Sequence, residues 1–394
     1  MMIRKSLKSI QMCLNEAYLA IGLPLVSSSA YSQARRHLNY TAFIELNQAA
    51  IVEVVYEGEE YLRWQEFRLL GIDGSMVRLP SNQEMTQAFG EIPYTDGQGS
   101  QIAGSHVMGR MSVLYDVLNH IGLEGVLDPY DTSEGDQAVS HLAATQAGDL
   151  LIMDRGYPSY FLLASIIKAG REAVIRCSSG SFAVANEMFT GKGQDSRVVT
   201  LKVPSNQRLR VKAAGLPATI RVRFVRVELD TGDYEVLVTT LLDEIQFPTA
   251  VFKALYQLRW GIETFYDILK NRLNLENFTG KTPLSVQQDF HATLYLTGLE
   301  SILTQKAQQT LSQKNRTQYR QQVNHAVAFN ALKNKAFDLL FSDSDADLLL
   351  EQLTQLFLMS PTLVRPNRPR ESSDRKSKLS HALDYYKRRR KIVF

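Results

Sequence analysis

Three carboxylates sit where each can hold a cation against a phosphate: Asp73 in LLGIDGS, Asp154 in LIMDRGYPS and Glu263 in YQLRWGIETFYDILK. Phosphoryl transfer uses such a set. Two divalent cations about 3.5–4 Å apart activate the attacking oxygen and stabilise the leaving one. Magnesium takes hard oxygen ligands and retains several waters, so three carboxylates suffice. Read as a helix at about 100° per residue, the segment from Tyr256 to Lys270 places Tyr256, Arg259, Glu263 and Lys270 within about 60° of one another. Leu255, Leu258, Ile262, Phe265 and Leu269 fall in a separate sector centred roughly 95° away. One face is built to pack. The other carries a phenol, a guanidinium, a carboxylate and an ammonium. Spacing alone also fits a plain amphipathic helix with an i,i+4 Arg–Glu pair.

The elements around these residues follow from pattern. FRLLGID runs apolar into Asp73-Gly74, and SMVRL follows at once, so a hairpin with the carboxylate at its turn is predicted. Residues 81–105, Gly-rich and polar, read as a mobile surface loop without a phosphate-loop ending. MSVLYDVLNHIGLEGVLDP supplies one or two buried strands. The acidic DPYDTSEGDQ lacks calcium-loop spacing and reads as the cap of a helix from about Glu134 to Thr145. Leu150 to Met153 form a short, fully apolar strand of the parallel type, with Asp154 at its C-terminal end, where open α/β sheets carry their ligand sites. Asp149 precedes the strand and is the weaker candidate. A helix from near Pro158 to about Gly170 leads to a second buried strand, EAVIRC.

From residue 178 to 242 the pattern alternates, as in RVVTLKV, RLRVKA, TIRVRFVRVEL and YEVLVTTLL, and predicts a small antiparallel insertion. Arg221 and Arg223 share one face of its TIRVRF strand. Residues 1 to about 65 and 285 to about 358 read as helical. In the first of these, a serine among Ser27–Ser29 caps a helix carrying Gln33, Arg35 and Arg36. That short helix serves either as a DNA contact or as packing.

Composition narrows the classes. A chain of 394 residues exceeds the size of one core and implies two or three domains. No run approaches about 18 apolar residues, which argues against a membrane span. Gln11, Asn15 and Glu16 interrupt the N-terminal apolar stretch, which argues against a secretion signal. Cys13 and Cys177, far apart and outside any CxxC, fit a reducing compartment and no thiolate zinc site. The seven histidines form no HxxxH pair, leaving oxygen ligands for any metal. Net charge is only +3, but residues 365–394 hold 11 Lys or Arg against 3 Asp or Glu. Residues Lys192 to Arg226 hold 9 basic residues against Asp195 alone. Two basic blocks in a nearly neutral chain point to a polyanionic partner.

Taken together, the motifs resemble a bacterial insertion-sequence DDE transposase of the group marked by a Tyr-x2-Arg-x3-Glu-x6-Lys signature. Tyr256, Arg259, Glu263 and Lys270 match it. DRGYPS resembles the group's second-aspartate motif and LLGIDGS its first, and SQARRHL near the N-terminus also resembles the group. The resemblance covers most of residues 27–300. It implies an α/β fold: an RNase H-like mixed sheet flanked by helices, with a β-rich insertion and helical N- and C-terminal regions. The division it implies is an N-terminal DNA-end-binding region (1–65), a catalytic domain (66–177 and 243–300), the insertion (178–242), a helical region (301–364) and a basic tail (365–394).

It further implies two Mg2+ or Mn2+ ions at Asp73, Asp154 and Glu263. Transposon-end contacts fall to Tyr256, Arg259 and Lys270, with Arg221 and Arg223 added from the basic strand. Trp260 is a candidate for stacking on a flipped base. The implied partners are double-stranded DNA (terminal inverted repeats and target) and a second copy of the chain on paired ends, in the bacterial cytoplasm at the nucleoid. The implied activity is cut-and-paste transposition. A non-catalytic repeat-binding protein and a metal-dependent nuclease remain as alternatives.

Overall fold

The computed structural model describes residue 2 and residues 8–364, apart from 59, 97–98, 192, 230, 314–318 and 342–344. The basic tail at 365–394 and Lys192 lie outside the described residues. The strands of the main sheet are β1 (Arg68–Arg78), β2 (Glu91–Thr95), β3 (Gln101–Asp116), β4 (Ile121–Pro129), β5 (Asp149–Met153), β6 (Glu172–Arg176), β7 (Ser196–Lys202), β8 (Thr219–Glu228) and β9 (Tyr234–Thr239). The chain divides into two compact units. One is built from the described parts of 52–77 and 110–268, the other from those of 1–51, 78–109 and 269–394.

The first unit is a mixed sheet with strand order β4-β3-β1-β5-β6-β9-β8-β7. At its centre β1, β5 and β6 run parallel, with Ile72 paired to Met153 and Met153 to Ile175. Every residue of β5 is buried, as a strand covered on both faces requires. The helix Tyr160–Lys168 packs Leu162, Leu163 and Ile166 inward. Ser159 caps it, its Oγ accepting from the Leu162 N–H at 3.2 Å, and Gly170 ends it at φ +68°. The helix Glu134–His141 follows β4 and is capped by Ser133. The mixed α/β class read from sequence is the class observed, a large mixed sheet with helices packed on it.

Three local expectations give way. Asp73-Gly74 makes no hairpin turn: β1 runs unbroken through both residues, and Gly74 does not adopt positive φ. The glycine serves close approach instead, because a Cβ there would lie 3.1 Å from Glu134 Cγ. The antiparallel strands of 178–242 do not form a separate sheet. β9 pairs with β6 through Val174 and Thr239, so β7–β9 extend the main sheet. Within that segment RLRVKA is a helix, Arg208–Ala213. Finally, the segment 81–105 carries regular elements where a loop is expected. Asn82 caps a helix over Gln83–Phe89, and β2 pairs antiparallel with the start of β3.

The second unit is mostly helical. Its spine is the 31-residue helix Pro283–Gln313, and a core of Ala307, Leu311, Val323, Ala328, Leu349, Leu353 and Phe357 fills one part of the unit. Ser27 caps the helix Ser28–Arg35. Arg35 is buried, and its guanidinium donates to Thr279 Oγ1 at 2.6 Å, the Ser285 carbonyl at 2.8 Å and Asp289 Oδ1 at 3.1 Å. Gln33 and Arg36 are exposed.

At the start of the parallel pair, Arg68 Nε and Nη2 donate to the two Asp149 oxygens at 2.6 and 2.7 Å, with both side chains buried. Asp149, the weaker site candidate, is thereby a structural clamp. Removing one partner strands a buried charge, so Arg68→Ala is expected to cost about 3–5 kcal/mol in urea unfolding. The paired replacement Arg68→Met with Asp149→Leu should recover most of that loss.

Candidate active site

Asp73 and Asp154 follow the paired residues Ile72 and Met153, so the two carboxylates leave neighbouring parallel strands side by side. Each is half-buried. Burial pushes the Asp73 carboxyl up to about 6, with the charges of Asp154 and Glu134 adding to the shift and the Gly74 N–H and Arg259 opposing it. Behind Asp73 the backbone is gripped from two sides. Its carbonyl accepts from the Tyr266 hydroxyl at 2.6 Å and from Ser112 Oγ at 3.2 Å. Ser112 lies 3.0 Å from His141 Nε2, and His141 Nδ1 lies 2.7 Å from Glu124 Oε2. Ser112 and His141 are fully buried, so this chain fixes Asp73 rather than reacting.

The helical segment read as one element is broken. A helix over Val251–Gln257 gives way to tighter i→i+3 hydrogen bonds at Leu258 and Arg259, then to a helix over Trp260–Asp267 and a π-helical turn over Ile268–Arg272. Leu255, Ile262, Phe265 and Leu269 are buried as the packing face requires, while Leu258 is exposed. The tightened turn brings Tyr256 and Arg259 to the aspartates. The Tyr256 hydroxyl donates to Asp154 Oδ1 at 3.3 Å. Arg259, only 4% exposed, donates from Nη2 to Glu263 Oε1 at 2.6 Å and lies within electrostatic reach of both Asp154 and Asp73. Tyr266, one turn beyond Glu263, ties the same helix to Asp73. Asp73, Asp154, Glu263, Tyr256 and Arg259 therefore belong to one cluster.

Residues 64–297, more than half of the chain, match the family described as Transposase DDE domain. The chain belongs to this family. It is similar to the transposase InsG for insertion sequence element IS4 of Escherichia coli (strain K12), 26% identical over 275 residues that cover 69% of this chain and 60% of that protein. It is also similar to the putative transposase InsZ of the same organism, 27% identical over 158 residues covering 38% and 48% of the two chains. The chain thus spans about three-fifths and about half of the lengths of these relatives. Among solved structures, the cryo-EM structure of a piggyBac transposase synaptic complex with hairpin DNA matches with a TM-score of 0.42 and 10% identity, covering 92% of this chain and 70% of that chain.

The DDE-domain match takes in all three acidic motifs. Whether the cluster suits a divalent cation is a question of donors and charge. Asp73 and Asp154 present hard oxygens from adjoining strand ends, and their repulsion is the kind a cation relieves. Glu263 is turned to Arg259. Among the described residues no three His, Cys, Asp or Glu side chains converge at ligand spacing. The donor chemistry of Asp73 and Asp154 fits a hard cation, and Glu263 is charge-paired with Arg259.

Other sequence candidates are placed elsewhere. Arg223, 1% exposed, donates from Nε to Ser196 Oγ at 2.8 Å and from Nη1 to the Phe247 carbonyl at 2.6 Å. It is a buried staple, removed from the surface a duplex would touch. Arg221, two residues away on the same face of β8, is exposed; only the Arg223 position is covered, by residues 247–252. Arg35 is likewise buried in its own hydrogen bonds. Trp260 is 51% exposed, with the Arg259 guanidinium over its ring at 5.5 Å. Trp64 packs on Phe67 and Phe247. Lys270 sits in the π-helical turn, where the 100° arithmetic no longer holds, and belongs to the helical unit.

Sequence reading missed Glu134, taken only as a helix start, and the buried pair Ser112 and His141. Their signal was an acidic residue between two strand-end aspartates and a lone His at helical spacing, neither distinctive without the fold.

A carboxyl whose folded value rises from 3.8 to about 6 binds its proton more tightly when folded. It therefore lowers stability above about pH 6 and relieves that cost as pH falls toward 4. In chelator-treated buffer, Asp73→Asn is expected to stabilise the chain at pH 7.5 by about 1–2 kcal/mol after solvent screening. The gain should shrink as pH falls through about 6 and vanish below about pH 4, read as the pH dependence of the difference in urea midpoint.

Proposed function

We propose that the chain is a DNA transposase, which frees an insertion sequence by phosphoryl transfer at its ends and joins it to target DNA. One observation carries the reading: Asp73 and Asp154 emerge side by side from neighbouring parallel strands, and Arg259 couples them to Glu263. Asp73, Asp154 and Glu263 are assigned as ligands for Mg2+ or Mn2+, two ions per site, which supply activation of the attacking oxygen and stabilisation of the leaving one. The Tyr256 hydroxyl orients Asp154 through its hydrogen bond. Arg259, once freed from Glu263, would neutralise a scissile phosphate.

At each end a water oxygen attacks phosphorus and the terminal 3′-OH leaves. That 3′-OH then attacks a target phosphodiester, displacing the target's own 3′ oxygen, so bonds and protons balance across the two steps.

Lys270 and the exposed Arg221 are assigned to the DNA backbone, and half-exposed Trp260 to an unstacked base. The partners are transposon-end and target duplexes and a second copy of the chain on paired ends, with the bacterial nucleoid as the place of action. Among the described residues no helix is long and apolar enough to cross a membrane.

Asp73→Asn, Asp154→Asn and Glu263→Gln are each expected to reduce cleavage of an inverted-repeat duplex in Mg2+ to below about 1% of the wild-type rate while retaining DNA affinity. Cleavage by all three variants at the wild-type rate would remove the assignment. A pre-cut end mixed with supercoiled plasmid should yield joined products, which separates a transposase from a nuclease.

The two neighbouring arginines should part company. Arg221→Gln is expected to weaken DNA binding and flatten its salt dependence by about one unit of slope. Arg223→Gln should instead lower the unfolding midpoint, because it strands buried polar groups.

A further inference from the structure

We infer that Glu134 is a fourth carboxylate for the divalent cation held at Asp73 and Asp154, and that Arg110 is the counter-ion it exchanges for that cation. The inference rests on the metal assignment above. Glu134 opens the helix that follows β4, far in sequence from all three motifs, yet its carboxylate lies between the backbones that follow the two aspartates. A Cβ on Gly74, one residue past Asp73, would lie 3.2 Å from Glu134 Oε1. A Cβ on Gly156, two residues past Asp154, would lie 3.3 Å from Glu134 Oε2. Each oxygen of one carboxylate thus abuts the chain beside one of the aspartates, and glycine at both positions leaves the room it occupies. An ordinary surface glutamate needs no such pair of clearances.

Charge and an orphaned hydroxyl point the same way. Glu134 Oε1 accepts from Arg110 Nη1, and Arg110 Nε donates to the Tyr130 carbonyl at 3.2 Å. Glu263 is matched by Arg259, and Asp154 has Arg176 only at 4.0 Å, itself bonded to Glu235 at 3.1 Å. With Glu134 close enough to perturb Asp73, the cluster holds more negative than positive charge. Beside it the Tyr157 side chain is 2% exposed, and its hydroxyl has no hydrogen-bond partner. That hydroxyl lies within the field of Asp73, Glu134, Arg110 and Asp154. Buried hydroxyls are nearly always satisfied. An unsatisfied one aimed at a group of carboxylates marks a place for a hydrated cation, whose waters would accept from or donate to it.

The test uses the full chain without DNA, with Mn2+ as the probe, its binding followed by electron paramagnetic resonance. Asp73→Asn serves as the reference variant and the melting temperature as the check on folding. Glu134→Gln, nearly isosteric, is expected to weaken Mn2+ binding by about tenfold or more. Arg110→Gln should tighten it or leave it equal, because the competing cation is gone. Glu134→Asp, which retains a charge opposite Arg110 if the amide variant does not fold, should fall between wild type and Glu134→Gln. If Asp73→Asn loses Mn2+ while Glu134→Gln and Glu134→Asp bind it as wild type does, Glu134 is only the partner of Arg110 and the inference is overturned. If Asp73→Asn also binds as wild type, the metal assignment itself fails, and the inference with it.

Discussion

The parallel pairing of β1 with β5 is the constraint on which the site depends. The paired stretch is five residues long and buried on both strands, its register running from Arg68 opposite Asp149 to Ile72 opposite Met153. At about 3.3 Å per residue, the two ends of this paired stretch lie roughly 13 Å apart. The ends are treated in opposite ways. At the start, a carboxylate meets a guanidinium through two hydrogen bonds and the charge is closed. At the finish, two carboxylates leave side by side, and burial, with a smaller push from the Asp154 charge, raises the Asp73 carboxyl. A slip of one residue would turn every side chain of β5 to the opposite face and separate Asp154 from Asp73. The buried Arg68–Asp149 clamp therefore does more than stabilise: it holds the register that makes the acidic end.

Everything else at the site answers that uncompensated end. The broken helix over residues 251–267 anchors itself on the two strands by hydroxyls, Tyr256 to Asp154 and Tyr266 to the Asp73 carbonyl. Between these anchors sits Arg259, almost wholly buried and shared among Glu263 and the two aspartates. A guanidinium is suited to that position because it stays charged at any working pH and presents a fork of donors. The Ser112–His141–Glu124 chain holds Asp73 from the other side. The carbonyl of one strand residue is thus fixed by side chains from β3 and from the helix at once, leaving its carboxylate as the part free to respond to charge.

Much of this was legible in the sequence because its causes are local. Four apolar residues before Asp154 specify a buried strand and the end at which a ligand site forms, and the spacing of Tyr256, Arg259 and Glu263 survives a break in the helix because the break falls between turns. The family match over residues 64–297 takes in the same motifs. What was not legible depends on long-range contacts. Asp73-Gly74 carries the composition of a turn, yet β1 runs extended through both residues, and the glycine is explained by a carboxylate 60 residues away. Alternation put Arg221 and Arg223 on one face but could not say that the face near Arg223 is covered. The same limit applies to Arg35, whose basic neighbours Arg36 and His37 suggest a nucleic-acid contact while its own partners come from residues 279–289.

The burial of Arg223 and Arg35 bears on how a polyanion would be held. Positive charge counted along a chain overstates what a duplex can reach, because arginine is also the residue best able to staple a backbone from inside. Within Lys192 to Arg226, Arg226 is likewise spent on Asp195 and on the carbonyls of Met188 and Gly193. The electrostatic footprint of the sheet unit therefore rests on fewer cations than composition implies, Arg221 among them. A polyanion on this unit would therefore meet the few cations that remain exposed, and its affinity would follow those rather than the arginine count of the strand.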